Sequence, residues 1–170
     1  MRGDRKMSLR KRLENLPDAF WHGELVNFRP VLSEEDLVFA CCECQLTKEQ
    51  QEVVNPAWFS IGRAYLSRED NYPCIILNEQ MIPIGFINFC KWLPCGDAYS
   101  WSFFIDKRYQ GRGYGRRTAT KAVQVLKAAD PHKAIKLAAE PDNKRAQALY
   151  IDRGFRILPE LDGNDLVFAL

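Results

Sequence analysis

Residues 109–118 read YQGRGYGRRT, with three glycines and three arginines immediately ahead of a helical pattern. Glycine leaves bare backbone that a ligand can approach closely, and guanidinium groups bind oxyanions through paired donors. At a helix start, where backbone N–H groups lack intrahelical partners, these residue types make a cradle for an anion such as phosphate. Arg116 and Arg117 fall in the first helical turn, where the macrodipole disfavours cations by ~0.3–1 kcal/mol each, a cost that a functional site explains. A plain turn with solvated arginines is the competing reading. Neither familiar nucleotide loop fits. The triphosphate loop needs a second glycine where, counting from Gly111, this chain has Arg116, and the dinucleotide pattern ends on Arg116 or Thr118 instead of glycine. Farther along, Asn143 and Tyr150 lie about two helical turns apart, so one ligand can touch both.

The elements that must carry these groups follow from periodicity. ELVNFRPV alternates as a strand, and Ser33 followed by Glu34, Glu35 and Asp36 reads as a capped helix start running to about Leu46. A second helical region covers roughly residues 50–68, interrupted near Pro56, which lacks a backbone donor. YPCIIL and IPIGFINFCKW, joined by NEQ, read as a hairpin, and AYSWSFFI as a third strand. After the glycine stretch come a helix from about Tyr114 to Ala129, a strand AIKLAAE, and a helix from about Asn143 to Arg153 closed by Gly154. The tail FRILPELDGNDLVFAL is two strands turning at Asp162-Gly163. The sum is a mixed α/β domain with one sheet over residues 24–170, preceded by a basic, partly disordered appendage at 1–23.

Two blocks of this sequence resemble the GNAT superfamily of acetyl-coenzyme A dependent N-acetyltransferases. Gln110, Gly113 and Gly115 match its Q/R-x-x-G-x-G/A signature, and Asn143, Ala146, Leu149, Tyr150, Gly154 and Phe155 match its later N-x-x-A-x-x-L-Y-x-x-x-G-F segment. The resemblance implies a mostly antiparallel central sheet flanked by helices, with acetyl-CoA as cosubstrate. It implies cofactor contacts along Phe103, Phe104 and Ile105 and in the loop Gln110, Gly111, Arg112, Gly113, Tyr114, Gly115 and Arg116. Asn143 would touch the cofactor arm, and Tyr150 would protonate the departing thiolate. Helix capping and core packing are the ordinary roles for those two residues.

Acetyl transfer needs a neutral amine, whose ordinary pKa is ~10.4, so a base is required. Glu140 at a strand end is favoured, with Asp97 or a water chain as alternatives. Glu34, Glu35 and Glu43 lie where the family builds much of its acceptor pocket and would draw a cationic amine, although acidic runs also serve as solvated helix faces. Both blocks look most similar to the diamine and spermine/spermidine subgroup, which implies a small-molecule amine and a homodimer. Protein N-terminal, ribosomal-protein or aminoglycoside acetylation is the alternative, and from another class, a non-catalytic CoA sensor.

Charge and composition narrow the field. Residues 1–12 and 107–121 hold half of the 24 Lys and Arg, leaving 12 basic against 21 acidic residues elsewhere. A broad basic face for nucleic acid is therefore not expected. No apolar run approaches the ~18 residues that span a bilayer, so a cytoplasmic protein is expected. Cys41 and Cys44 have zinc-type spacing within a helical stretch, and the other close pair, Cys90 and Cys95, is far along the chain. Reduced thiols without a metal are the expectation.

Overall fold

The β-branched and aromatic runs become strands β1 (Val26–Pro30), β2 (Asn71–Asn78), β3 (Pro83–Lys91), β4 (Ala98–Ile105), β5 (Ala134–Ala139), β6 (Arg156–Asp162) and β7 (Asp165–Ala169). They are seen in a computed structural model that describes residues 7–93 and 96–170, so Cys95 lies outside the described residues. One sheet holds all seven in the order β1-β2-β3-β4-β5-β7-β6. Every pairing is antiparallel except β4 with β5. This is the mixed, mostly antiparallel α/β architecture expected from the residue pattern. β2 is buried along its whole length, which is why its sequence is a continuous apolar run without alternation. Gly85 permits the close approach of β3 to β4, because a Cβ there would stand 2.3 Å from the Phe104 carbonyl oxygen.

Helices α1 (Leu9–Glu14), α2 (Glu34–Val38), α3 (Lys48–Val53), α4 (Ala57–Leu66), α5 (Tyr114–Ala129) and α6 (Lys144–Asp152) cover the sheet. On one face Phe28, Phe89, Trp101, Phe155 and Phe168 pack with Ala119, Ala122, Val125 and Leu126 of α5. On the other, Ile75, Leu77, Phe86 and Phe104 pack under Phe39, Ala40 and Ala57. Each fully buried large side chain contributes about 1.5–3 kcal/mol relative to exposure. The helix expected to reach Leu46 is shorter: α2 passes into a π-helical turn over Phe39–Glu43, and Cys44 is extended. α3 begins earlier than expected because Thr47 and Gln50 form a reciprocal capping box. Pro56 separates α3 from α4 as its missing donor requires.

The expectation of an appendage at residues 1–23 is corrected for its described part. Ser8 caps α1, and Leu9, Leu13 and Trp21 are buried in the larger core. The apolar positions of LRKRLENL lie on one face, so the short helix buries it on the sheet. Residues 1–6 lie outside the described residues.

Candidate active site

β4 and β5 pair at only two positions, Ala98 with Ala134 and Tyr99 with Ile135. Beyond them β5 follows β7, from Lys136 opposite Ala169 to Ala139 opposite Leu166, and leaves β4. Aromatic rings occupy the widening side: Trp101 meets Phe155 edge-on at 5.8 Å, and Tyr150 packs on Phe155 at 5.9 Å and Phe168 at 5.3 Å. A cleft of about 750 Å³ opens here, and Phe103, Phe104 and Ile105 form part of its wall. The parting leaves one backbone edge of β4 without a strand partner, a template for an extended, amide-containing ligand.

At one end of the cleft stands the N-terminus of α5. Gly113 is its N-cap, at φ 82°, and no side chain caps the helix. The first N–H groups of α5 are therefore left for a ligand, and Gly111, Gly113, Gly115, Tyr114 and Arg116 all border the cleft. The arginines divide. Arg116 lines the cleft and pairs with Asp152 at 3.3 Å, whereas Arg112, expected at the site, lies over the Tyr109 ring and is not part of the cleft wall. Arg117 sits over the Tyr114 ring. Tyr114 directs its hydroxyl to Glu79, so what it offers at the helix start is its backbone. The Gln110 amide donates to the Ile105 carbonyl at 2.8 Å and to Gln50 Oε1 at 2.6 Å, tying the loop to β4 and α3.

Asp106 holds this loop at its root. Completely buried, its carboxylate accepts from the Arg108 side chain at 2.6 and 2.9 Å, the Arg108 amide at 2.8 Å and the Gln45 amide at 3.0 Å. Desolvation would raise its pKa, but these hydrogen bonds outweigh it and hold the carboxyl below its ordinary value. Burial, reinforced by the Asp106 charge, pushes the neighbouring Cys44 thiol up to about 12, making it an unreactive thiol.

Glu140, Asn143 and Tyr150 meet at the parting of the strands. Asn143 caps α6 through its side-chain oxygen, which accepts from Ala146 N at 3.1 Å. Gln147, overlooked in the sequence, anchors the β5–α6 turn by donating to the Glu140 and Pro141 carbonyls at 2.9 and 2.8 Å. Burial pushes the Tyr150 phenol up to about 12. Its hydroxyl makes no hydrogen bond among the described residues, so it is available as a donor. Asp97 is engaged by Lys136 at 3.2 Å and does not border the cleft.

The acetyltransferase (GNAT) family model matches residues 36–155. The chain belongs to the GNAT family. A spermine/spermidine N(1)-acetyltransferase of Bacillus subtilis (strain 168) is 40% identical over 62 residues, 36% of this chain and 41% of that relative. The match thus spans about two fifths of the curated relative. Two Vibrio cholerae structures share the GNAT fold. A spermidine N-acetyltransferase in complex with CoA and spermine has TM-score 0.63 and 16% identity, over 86% of this chain and 94% of that one. A putative ribosomal-protein-serine acetyltransferase has TM-score 0.64 and 17% identity, over 88% and 95%. Acetyl-CoA is the family's cosubstrate.

In this GNAT chain, Glu34, Glu35 and Glu43 are not brought to the cleft. They border a separate recess of about 670 Å³ with Arg29, Asp36 and Phe39, where Asp36 is paired to Arg29 at 2.6 Å. The acidic first turn of α2 and Glu43 at the end of the π segment both lie off the wall of the cleft. The far half of the cleft is instead bordered by Asn55, Arg63, Trp92, Ser100, Asp162 and Asp165. No local motif announced these residues. They come from six elements or loops, and only the alternation of AYSWSFFI, which puts Ser100 and Ser102 on one face, hinted at them.

Proposed function

We propose that the protein transfers acetyl from acetyl-CoA to the primary amine of a small molecule by direct attack, with diamines and polyamines as the acceptor class. The parting of β4 from β5 beside Tyr150 carries this reading. The residues present fit the cosubstrate. An uncapped helix start with glycine at its cap suits the pyrophosphate, and the unpaired edge of β4 suits the amides of the pantetheine arm. When bound, acetyl-CoA supplies the thioester carbonyl that the amine attacks, so that the C–N bond forms as the C–S bond breaks. Tyr150 donates its proton to the leaving sulfur, and Glu140 takes the proton the amine gives up. The relative that acts on spermine and spermidine, together with Asp162 and Asp165 on the cleft wall, supports a cationic acceptor.

The test is mass-resolved acetylation by the whole protein over diamines, polyamines, amino acids, aminoglycosides and peptides, with calorimetric binding of acetyl-CoA measured in parallel. Acetylated small amines support the reading. Binding without any acetylated product would favour a CoA sensor, and products only from peptides would move the acceptor class.

Two substitutions sharpen it. Glu140→Gln lowers kcat/KM for the amine about 10- to 100-fold near neutral pH, with partial recovery at high pH where the amine is already neutral. Gly113→Ala raises the Kd for CoA about 10-fold. A Cβ there meets nothing within 4 Å, so the effect comes from its left-handed φ, which costs about 1–2 kcal/mol in any L-residue and shifts the helix start. Unchanged CoA affinity in Gly113→Ala would contradict the anion-cradle role.

A further inference from the structure

Arg63 projects from α4 into the cleft, half-buried and without a carboxylate partner among the described residues. This sets it apart. The other half-buried described arginines, Arg10, Arg12 and Arg153, pair with Glu14, Asp130 and Asp152 respectively. A guanidinium has five donors and no acceptor, and a partly desolvated one left unpaired is costly. Natural chains keep such a group where a ligand supplies the anion.

Its surroundings are rich in donors. The Arg63 charge acts on the Cys90 thiol, and Cys90 lies opposite Ser100 across the β3–β4 ladder, so Arg63 sits over the first half of β4. Ser100 and Ser102, two apart on one strand, point to that same side and border the cleft. The opposite wall has the opposite sign. Asp162 and Asp165 pair across the β6–β7 turn, and Leu166 beside them lies opposite Ala139, so they stand past the end of β5, next to Glu140. Among the described residues neither aspartate has an ion-pair partner. The amine-accepting half of the cleft is therefore positive at one wall and negative at the other.

We propose that the acceptor is a diamine that also carries a carboxylate, its carboxylate held by Arg63 with Ser100 and Ser102 and its second ammonium facing Asp162 and Asp165. This rests on the acetyl-transfer reading and narrows its substrate class from bare diamines to diamino acids. The transfer is as described above: nitrogen gains the acetyl and loses one proton, and the sulfur leaves and gains one.

Matched substrates isolate the carboxylate. Ornithine and putrescine differ by that group alone, as do lysine and cadaverine. With the whole protein and acetyl-CoA, kcat/KM for each amino acid is expected to exceed that for its decarboxylated partner about 10- to 100-fold, the range for a hydrogen-bonded charged group. Arg63→Ala should bring each ratio towards one, acting mainly through KM. Arg63→Lys should give an intermediate ratio, because an ammonium lacks the planar fork. The Arg63→Ala melting temperature should stay near that of the parent, since no internal ion pair is lost. Putrescine or cadaverine preferred by the parent protein, or ratios unmoved in Arg63→Ala, would overturn the proposal and leave acetyl transfer standing. Failure to acetylate any of the four while acetyl-CoA binds would overturn the diamino-acid class alone. Failure to bind acetyl-CoA would remove the transfer reading first, and this inference with it.

Discussion

Tyr150→Phe is expected to lower kcat about 100- to 1,000-fold while the KM for acetyl-CoA changes by less than about twofold, the range a positioned general acid supplies. The ring is the packing element, in contact with Phe155 and Phe168, and Phe preserves it, so the melting temperature should hold. Only the hydroxyl is lost, and it has no hydrogen-bond partner among the described residues whose loss could disturb the fold. The pH profile gives a second readout. Burial pushes the phenol up to about 12, so the acid stays protonated through the working range. The rate should therefore climb with pH as the amine loses its proton, without falling below about pH 11. A kcat unaltered by Tyr150→Phe, or an alkaline decline near the ordinary phenol value of ~10, would remove the acid role.

Asp106→Ala is expected to destabilise the protein by about 2–4 kcal/mol, the cost of leaving two backbone amides without their acceptor, and to lower the melting temperature by about 4–16 °C. The substitution leaves the Arg108 and Gln45 amides without their acceptor at the fully buried Asp106 position, while the half-exposed Arg108 guanidinium turns to solvent. Its consequence reaches the cleft because the Lys107 amide also bonds the Gln45 carbonyl at 2.7 Å, joining the segment after the π turn to the root of the glycine loop. Acetyl-CoA affinity should fall together with stability. The sign of the pH dependence follows from a folded pKa held below the ordinary carboxyl value. The stabilisation is present above that ordinary value and drains away as pH falls through the folded one. Thermal melts between pH 6 and pH 3 should show the parent losing stability more steeply than Asp106→Asn. Parallel slopes would mean the carboxylate is not the acid-sensitive group.

Much of this protein was legible in one dimension. Strand alternation, the Pro56 break and the Gly154 stop are local choices made by backbone sterics and donors, so element order and type followed from residue types. The glycine turn was legible for the same reason: Gly111, Gly113 and the uncapped turn of α5 are neighbours in sequence. Asn143 and Tyr150 were legible because helical pitch alone puts them on one side.

Tertiary structure decided the rest. Local amphipathicity in LRKRLENL could not say whether a partner face existed, and only the packed sheet turned Leu9 and Leu13 into core. Charge density suggested Glu34, Glu35 and Glu43 for the acceptor, yet they border another recess, since charge attracts a ligand only where the backbone delivers it. Arg112 had the right chemistry and settled on a ring. The opposed walls formed by Arg63 and by Asp162 with Asp165 come from segments far apart in the chain, and their meeting depends on where β5 leaves β4. Short-range rules govern what a residue can do. Which residues act together is set by long-range strand pairing and packing, which no local pattern encodes.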